Sequence, residues 1–472
     1  MNITERSAGV WILVMAGLCC AATAFAWEIP LAVGDQQGVA GLRQVTCGVP
    51  LLAGQAKDAK DLRLLVKDAS GKTAPVPAQF KELARWWRPS TGSAGSPQAG
   101  SGQGGDNSIR WVLVDFSMDV GAHATNTVVL TDAKVDAPAT PLVVAQDDAF
   151  ITITTGPARF VINKKKFNFI EKAIVDVNGD GKLTDDENLL ASTAECGTVI
   201  EDTFGQKYFG SEGTVSVEVL EAGPMRVCVR ARGKHPAHGG KGYSQGMYGF
   251  DVFLNFYAGS AEVFTDVVVG NNFAKSIGTP AMEDCSLVLK LAGGAANCTL
   301  WGEKPTESKL AAGESVCLYQ DSNGADTWEK CPGFGIMETQ GWKPVKQPLT
   351  SFRGYKGIQR AGTNQTELAK GDHARGILQA GNGKGGVVVY TKNFWRQFPK
   401  AAEVGADGTV RIGLWPREWK YPHMLEDCAG KGHEIVLSFF AGKAPAAEAM
   451  ADRWDARVYL RPEAAHMAAC GA

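Results

Sequence analysis

The sequence lacks the signatures of most familiar chemistries. There is no Gly-x-Ser-x-Gly elbow, no phosphate-cradling glycine loop and no Gly-x-Gly-x-x-Gly between a strand and a helix, so the common serine-hydrolase and nucleotide-binding readings have no support. His-Glu-x-x-His and Cys-x-x-Cys are also missing, which argues against zincin and zinc-ribbon sites. Neither sign of charge dominates: 48 basic and 50 acidic residues leave a net charge of −2, with no basic stripe. That excludes an electrostatic nucleic-acid partner or membrane-surface binder. Beyond residue 26 no apolar run is long enough to span a bilayer, which needs ~20 residues. Helical periodicity is scarce as well. The convincing helical stretch runs from Ala446 to about Arg457, after Pro445.

The N-terminus reads as an export signal. Arg6 precedes the apolar run Val10-Trp11-Ile12-Leu13-Val14-Met15, and Ala24-Phe25-Ala26 fits small-x-small cleavage. The run is too short for an anchor. Leu18 before Cys19 is wrong for lipidation. The expected mature chain therefore starts at Trp27 and works in the periplasm, at the cell surface or outside the cell. It is long enough for two or three domains. Nine cysteines follow the signal (Cys47, Cys196, Cys228, Cys285, Cys298, Cys317, Cys331, Cys428 and Cys470), an odd number that leaves at least one unpaired within the chain. Cys228 lies in an apolar strand and reads as core. Cys285/Cys298, flanking a hairpin, and Cys317/Cys331, flanking a loop, are candidate disulfide pairs.

Nearly every periodic segment has period two: Val112–Phe116, Thr127–Leu130, Val215–Val219, Phe250–Phe256, Val263–Val269 and Ile435–Phe440. Gly, Asn, Asp and Pro punctuate them at short intervals, so the fold class is all-β, built of sandwiches or barrels. Thr91–Gly105 is Gly, Ser, Ala, Pro and Gln without a core residue, and is expected to be a flexible surface loop. The connector Lys134–Pro141 marks a boundary near residue 140. The expected organisation is a signal (1–26), a first β-domain (27–140), a larger β-domain (141–443) and a short Ala-rich tail (444–472).

One motif is specific. Asp176 to Glu187 satisfies the twelve-residue calcium-loop pattern. Asp176, Asn178 and Asp180 supply oxygens at alternate positions, Gly181 permits the turn, Lys182 offers its carbonyl, Thr184 acts directly or through water, and Glu187 closes the shell. The approach, Phe167–Val175, alternates like a strand, and the loop is single. A structural Ca²⁺ clip is therefore expected, not a sensor.

Weaker constellations combine aromatic and basic residues: Arg85-Trp86-Trp87-Arg88, Asn393 to Lys400, Trp415 to His423, and Lys431-Gly432-His433-Glu434. Aromatic faces stack on sugar rings and Arg or Lys neutralises uronate carboxylates, so Trp86, Trp87, Trp395, Arg396 and Trp419 are candidate glycan contacts. Each taken alone is as readily a core Trp or a stacked surface Arg.

Taken in order, these segments resemble the exo-acting rhamnogalacturonan lyase-like family. Thr46–Leu51, Val76–Phe80 and Ser108–Phe116 resemble its opening RIFT-type β-barrel. Glu221–Arg226, Tyr257–Glu262, Phe394–Lys400 and Gly430–Glu434 resemble its central β-sandwich. The resemblance runs from about Val45 to about Lys443 and implies a RIFT-type barrel followed by a large β-sandwich. The family's helical toroid has no counterpart before Ala472, so the resemblance supports the fold more firmly than catalysis. Three functions compete. An exported glycan-binding or accessory protein, acting on acidic or rhamnose-containing polysaccharide beside a separate helical catalytic partner, is preferred. An active polysaccharide lyase would cleave by β-elimination, with Arg396 as neutraliser and Tyr421, His423 or His433 as base. A surface or assembly protein without a glycan role is the third.

Overall fold

The computed structural model describes residues 26–67, 70–86, 106–237, 242–271, 280–325 and 349–471, with a short strand pair at 337–338 and 341–342. The signal segment through residue 25, the Gly/Ser stretch 91–105, Trp87 and Cys331 lie outside the described residues.

The chain is nearly all β, as its period-two patterning requires. In strand Glu262–Gly270, Val263, Thr265 and Val267 are buried while Phe264, Asp266 and Val268 turn to the other face. The expected strands all form, each extended by a few residues; Phe250–Phe256, for instance, becomes Gly249–Tyr257.

The N-terminal unit has two sheets. A five-stranded sheet runs, in spatial order, Val458–Pro462, Glu28–Asp35, Thr125–Thr131, Arg63–Lys67, Thr73–Val76. A three-stranded sheet runs Gly41–Pro50, Ile109–Val120, Ala78–Arg85. They share a core that includes Leu31, Val33, Leu64, Val112, Phe116, Leu130 and Leu460. One strand of this unit therefore comes from the far end of the chain: Leu31 faces Pro462 and Asp35 faces Val458 in an antiparallel ladder.

The larger unit is a sandwich of a nine-stranded and an eight-stranded sheet. Gly249–Tyr257, Glu262–Gly270, Gly430–Ala441 and Gly385–Thr391 are central in the first. Met282–Lys290, Thr409–Trp415, Lys400–Gly405 and Glu314–Gln320 are central in the second. A four-stranded sheet, Val143–Gln146 to Lys172–Val175, adds Ile151, Ile153 and Phe160 to the same core. Phe160 packs against Phe256 at 5.1 Å and Phe439 at 5.8 Å between ring centroids. Truncating such a ring to Ala costs roughly 3–5 kcal/mol.

The tail that reads as a short Ala-rich end is an integral strap. Helix Ala447–Asp455 lays Ala447, Met450 and Ala451, spaced three and four apart, on Trp301, Ile377, Tyr390 and Val436 of the nine-stranded sheet's outer face. Trp454 stacks on Phe264 at 4.9 Å. The chain then crosses to the N-terminal sheet, where Arg43 donates to the Ala456 carbonyl. A second tie between the units is polar: Gln79 donates to Glu221 at 2.6 Å and accepts from the Arg226 amide at 2.9 Å.

The candidate pair Cys285/Cys298 is not a disulfide. Cys285 belongs to the eight-stranded sheet and Cys298 to the nine-stranded sheet, so no hairpin joins them, and both thiols are free and buried. Burial pushes the Cys298 thiol up to about 12. Cys228 is free and buried, as a core residue would be. Among the described residues no helix is long and apolar enough to cross a membrane.

Candidate functional site

The outer face of the nine-stranded sheet carries two adjoining clefts. Strand Gly385–Thr391 ends there in a turn whose geometry is fixed from below. Phe394 is buried under Gly376, which has φ +71°; a Cβ on Gly376 would lie 2.4 Å from that of Phe394. Asn393 takes φ +56°, and the Gln397 amide donates to its carbonyl at 2.8 Å. With Phe394 anchored, Trp395 stays half-buried and Arg396 projects into solvent.

Trp395 and Arg396 line a cleft of about 590 Å³ between this turn, the end of helix Ala447–Asp455 and the loop at Gln37–Val39 of the N-terminal unit. The His373 ring lies 4.2 Å from Trp395, and the Arg396 guanidinium 5.0 Å from it. Trp395 is thus flanked by two nitrogen-bearing groups. His373 is exposed, with Nε2 2.9 Å from the Asn323 carbonyl. The acidic groups are all engaged: Asp452 by Arg375 at 2.7 Å, Glu434 by Lys392 at 2.9 Å, and Asp455 by the Tyr390 hydroxyl. Arg396 and Arg457, both exposed, have no carboxylate partner among the described residues.

A second cleft of about 560 Å³ adjoins the first through Lys392, Asn393 and Glu434. Phe253, Asp266, Val268, Gln397, Gly432 and His433 complete its lining. Asp266 and Glu434 are direct cross-strand partners. Burial, with Glu434 adding to it and Lys392 opposing, pushes the Asp266 carboxyl up to about 6.

The remaining sequence candidates scatter. His433 is 2% exposed, edge-on to Trp415 at 4.8 Å, with neither ring nitrogen hydrogen-bonded. Burial, reinforced by Lys400 and Lys431, holds its pKa well below the usual imidazole value. His423 is 7% exposed, with Nε2 3.0 Å from the Pro416 carbonyl, and burial lowers it to about 4. It opens onto neither cleft. Trp419 stacks over His423 at 6.5 Å, and Tyr421 lies beside Lys420. Trp86, in the N-terminal unit, donates to the Leu51 carbonyl at 3.0 Å under the Arg110 guanidinium. Of the predicted glycan contacts that lie among the described residues, only Trp395 and Arg396 share a cleft. Sequence reasoning missed His373 and Arg375, which share the short connection before strand Ile377–Gly381, and Arg457, which follows helix Ala447–Asp455; none of them has a local motif.

The outer side of the eight-stranded sheet also carries a cleft, of about 610 Å³, but Asp284, Glu403, Arg411 and Arg417 in its wall are bound to one another. Arg411 donates to Glu403 at 2.9 Å, Asp284 at 2.7 Å and Glu418 at 2.5 Å. Arg360 and Arg417 add bonds to Glu403 at 2.8 and 2.7 Å. Burial alone would raise Glu403, but Arg411, Arg417 and Arg360 overcome it and hold the carboxyl at about 2. Cys317, Glu403 and Glu418 bring ligand atoms within 4.8 Å of one another. A cation there would displace guanidiniums already bound to both carboxylates, so the trio does not fit a metal.

In the calcium-type loop, Gly179 and Gly181 both take φ +77°. Asp176 accepts from the Gly179, Asp180 and Gly181 amides, Asn178 from Asp180, and Asp180 from Lys182. Glu187 accepts from Val177, Asn178 and both the amide and hydroxyl of Thr184. These donors, with burial opposing, lower the Glu187 carboxyl. Asp176, Asp180 and Glu187 do not bring oxygens within 4.8 Å of one another; among the described residues that spacing occurs only at the Cys317 trio. The carboxylates instead point onto the loop's own amides.

No family model matches the chain. The uncharacterized protein YetA of Bacillus subtilis (strain 168) is 23% identical over 464 residues, covering 87% of this chain and 50% of its own length. The chain thus spans about half the length of this curated relative. Among solved structures, an alpha-mannosidase from Enterococcus faecalis V583 aligns over 93% of this chain and 46% of its own at 11% identity, TM-score 0.46. A galactose mutarotase related enzyme from Lactobacillus acidophilus covers 64% of this chain and 100% of its own at 9% identity, TM-score 0.28.

Proposed function

We propose that this is an exported, carbohydrate-associated protein that holds an acidic glycan in the cleft beside Trp395, in a binding or accessory role related to rhamnogalacturonan-type lyases. The observation that carries the reading is the pair of guanidiniums, Arg396 and Arg457, that have no carboxylate partner among the described residues, in a cleft whose carboxylates are engaged. Such a cleft is short of anionic partners, and planar guanidiniums match uronate carboxylates two bonds at a time. The His373–Trp395–Arg396 stack supplies a broad semi-polar wall for a sugar ring.

The lyase alternative keeps one supporting observation, the exposed His373 imidazole in the same cleft as Arg396. Against it, His423 opens onto neither cleft, and a base must come within hydrogen-bond reach of its proton. A separate helical partner completing the cleft belongs to this proposal. So does a structural Ca²⁺ at Asp176–Glu187, whose oxygen-rich donor set and two left-handed glycines suit a hard cation.

Calorimetric titration with oligogalacturonides and rhamnogalacturonan oligosaccharides tests the reading. Arg396→Ala should weaken binding about 10–100-fold, the worth of one or two charge-assisted hydrogen bonds. Carboxyl-reduced oligosaccharides should bind wild type equally weakly. Unchanged affinity in both comparisons contradicts an acidic-glycan site.

A further inference from the structure

We propose that Asp266 and Glu434, opposed across two central strands on the floor of the second cleft, act as proton donor and nucleophile in hydrolysis of a glycosidic bond of the glycan held next door. The inference rests on the acidic-glycan reading and adds a chemistry to it.

The placement is topological. Strands Glu262–Gly270 and Gly430–Ala441 run antiparallel, with Asp266 opposite Glu434. Directly opposed side chains on one face lie about 5 Å apart at Cβ. Carboxyls carried on Cβ atoms so spaced can reach the separation of about 5–5.5 Å used in double displacement through a covalent intermediate. Both residues line a cleft continuous with the one holding Trp395 and Arg396, so a chain bound at the first would extend over the second.

The two carboxyls also have different surroundings, as a division of labour requires. Phe253 opposes Asp266 on one side, Phe264 and Val268 flank it on its own strand, and the charged groups facing it are Glu434 and Lys392. This mainly apolar, like-charged setting keeps a proton on Asp266 up to about pH 6. Glu434 instead has Lys392 at 2.9 Å from Oε2, which leaves Oε1 for attack.

The steps balance. Glu434 forms a bond to the anomeric carbon as the bond from that carbon to the glycosidic oxygen breaks, and the departing oxygen takes the Asp266 proton. Water then attacks the same carbon and gives a proton back to Asp266, and the ester to Glu434 breaks. One water is consumed per bond, and no oxidant or metal is needed.

The test measures reducing-end release from trigalacturonate and a rhamnogalacturonan oligomer, release from their 4-nitrophenyl glycosides, and binding by calorimetry. The inference expects oligomer hydrolysis that declines as pH rises above about 6. Asp266→Asn should cut it ~10²–10⁴-fold while nitrophenyl release, which needs little acid assistance, falls far less. Glu434→Gln should abolish both. Hydrolysis unaffected in Asp266→Asn overturns the inference. So does binding, lost in Arg396→Ala, without any hydrolysis, and that outcome leaves the glycan reading intact. Absence of binding overturns both. Should either variant unfold, carbon NMR of wild-type carboxyls still decides: an Asp266 signal titrating near 4 rather than near 6 contradicts the pair.

Discussion

The two outer faces of the sandwich use the same residue types for opposite ends. On the eight-stranded sheet, Arg360, Arg411 and Arg417 converge on Asp284, Glu403 and Glu418, and the guanidinium of Arg411 is bound on three sides. Over the nine-stranded sheet, Arg396 and Arg457 reach solvent with no carboxylate partner among the described residues, and Asp266 sits opposite another acid. Charge density alone does not mark a site. A closed network has already spent its desolvation on itself and offers a ligand little, whereas uncommitted donors in a concave wall have bonds still to make.

Breaking the closed network should have the largest effect. Arg411→Ala leaves buried Glu403, Asp284 and Glu418 undercompensated and should lower stability by ~3–5 kcal/mol in denaturant titration. Glycan affinity, measured where the variant is folded, should stay within about twofold of wild type. A loss of affinity without a loss of stability would make the closed face the binding face.

The double substitution Arg396→Ala/Arg457→Ala, on the open face, should weaken acidic oligosaccharide binding about 100-fold or more while stability moves by less than ~0.5 kcal/mol. A large drop in melting temperature would show that these guanidiniums are structural after all.

Acid sharpens the contrast. Glu403 is depressed in the folded state to about 2, so its stabilisation is complete above its unfolded value near 4.5 and is lost as pH falls toward 2. His423, buried neutral with a value near 4, favours the fold fully above about 6.5 and costs stability as pH falls from there to 4. Asp266 has the opposite sign: its raised value favours the protonated fold, so it costs stability as pH rises from about 4 to 6. Asp266→Asn should therefore flatten that limb, and Glu403→Gln the limb below 4.5, in melting-temperature profiles. An unchanged profile in both would contradict these assignments.

The smallest effect expected is at the calcium-type loop. Added Ca²⁺ at ten to a hundred times Kd should stabilise wild type by about 1–3 kcal/mol by mass action, and Asp180→Ala should remove the shift. A melting temperature indifferent to Ca²⁺ would leave the loop as a turn held by its own amides.

How legible all this was in sequence depended on range. Strands such as Glu262–Gly270 are written locally, in alternating apolar residues, and the helix at Ala447–Asp455 follows from its spacing. The Phe394-Trp395-Arg396 turn was visible as an aromatic and basic run. Three things were not. The pairing of Val458–Pro462 with Glu28–Asp35 joins the two ends of the chain, and a five-residue strand after an Ala-rich helix carries no sign of its partner. The Asp266–Glu434 pair needs the register of strands more than 150 residues apart. Burial decided the histidines: His433 sits near the start of strand Gly430–Ala441 and His423 in a loop bridged to Met282, both buried, and exposed His373 had no neighbouring motif to mark it.

The central claim, that the open face and not the closed one receives the ligand, is tested most directly by hydrogen–deuterium exchange with and without saturating oligogalacturonide. Slowed exchange confined to residues 390–397, 432–435 and 452–457 is the predicted result. Protection centred instead on 284–290, 403–411 and 417–418, with none around Trp395, would contradict it.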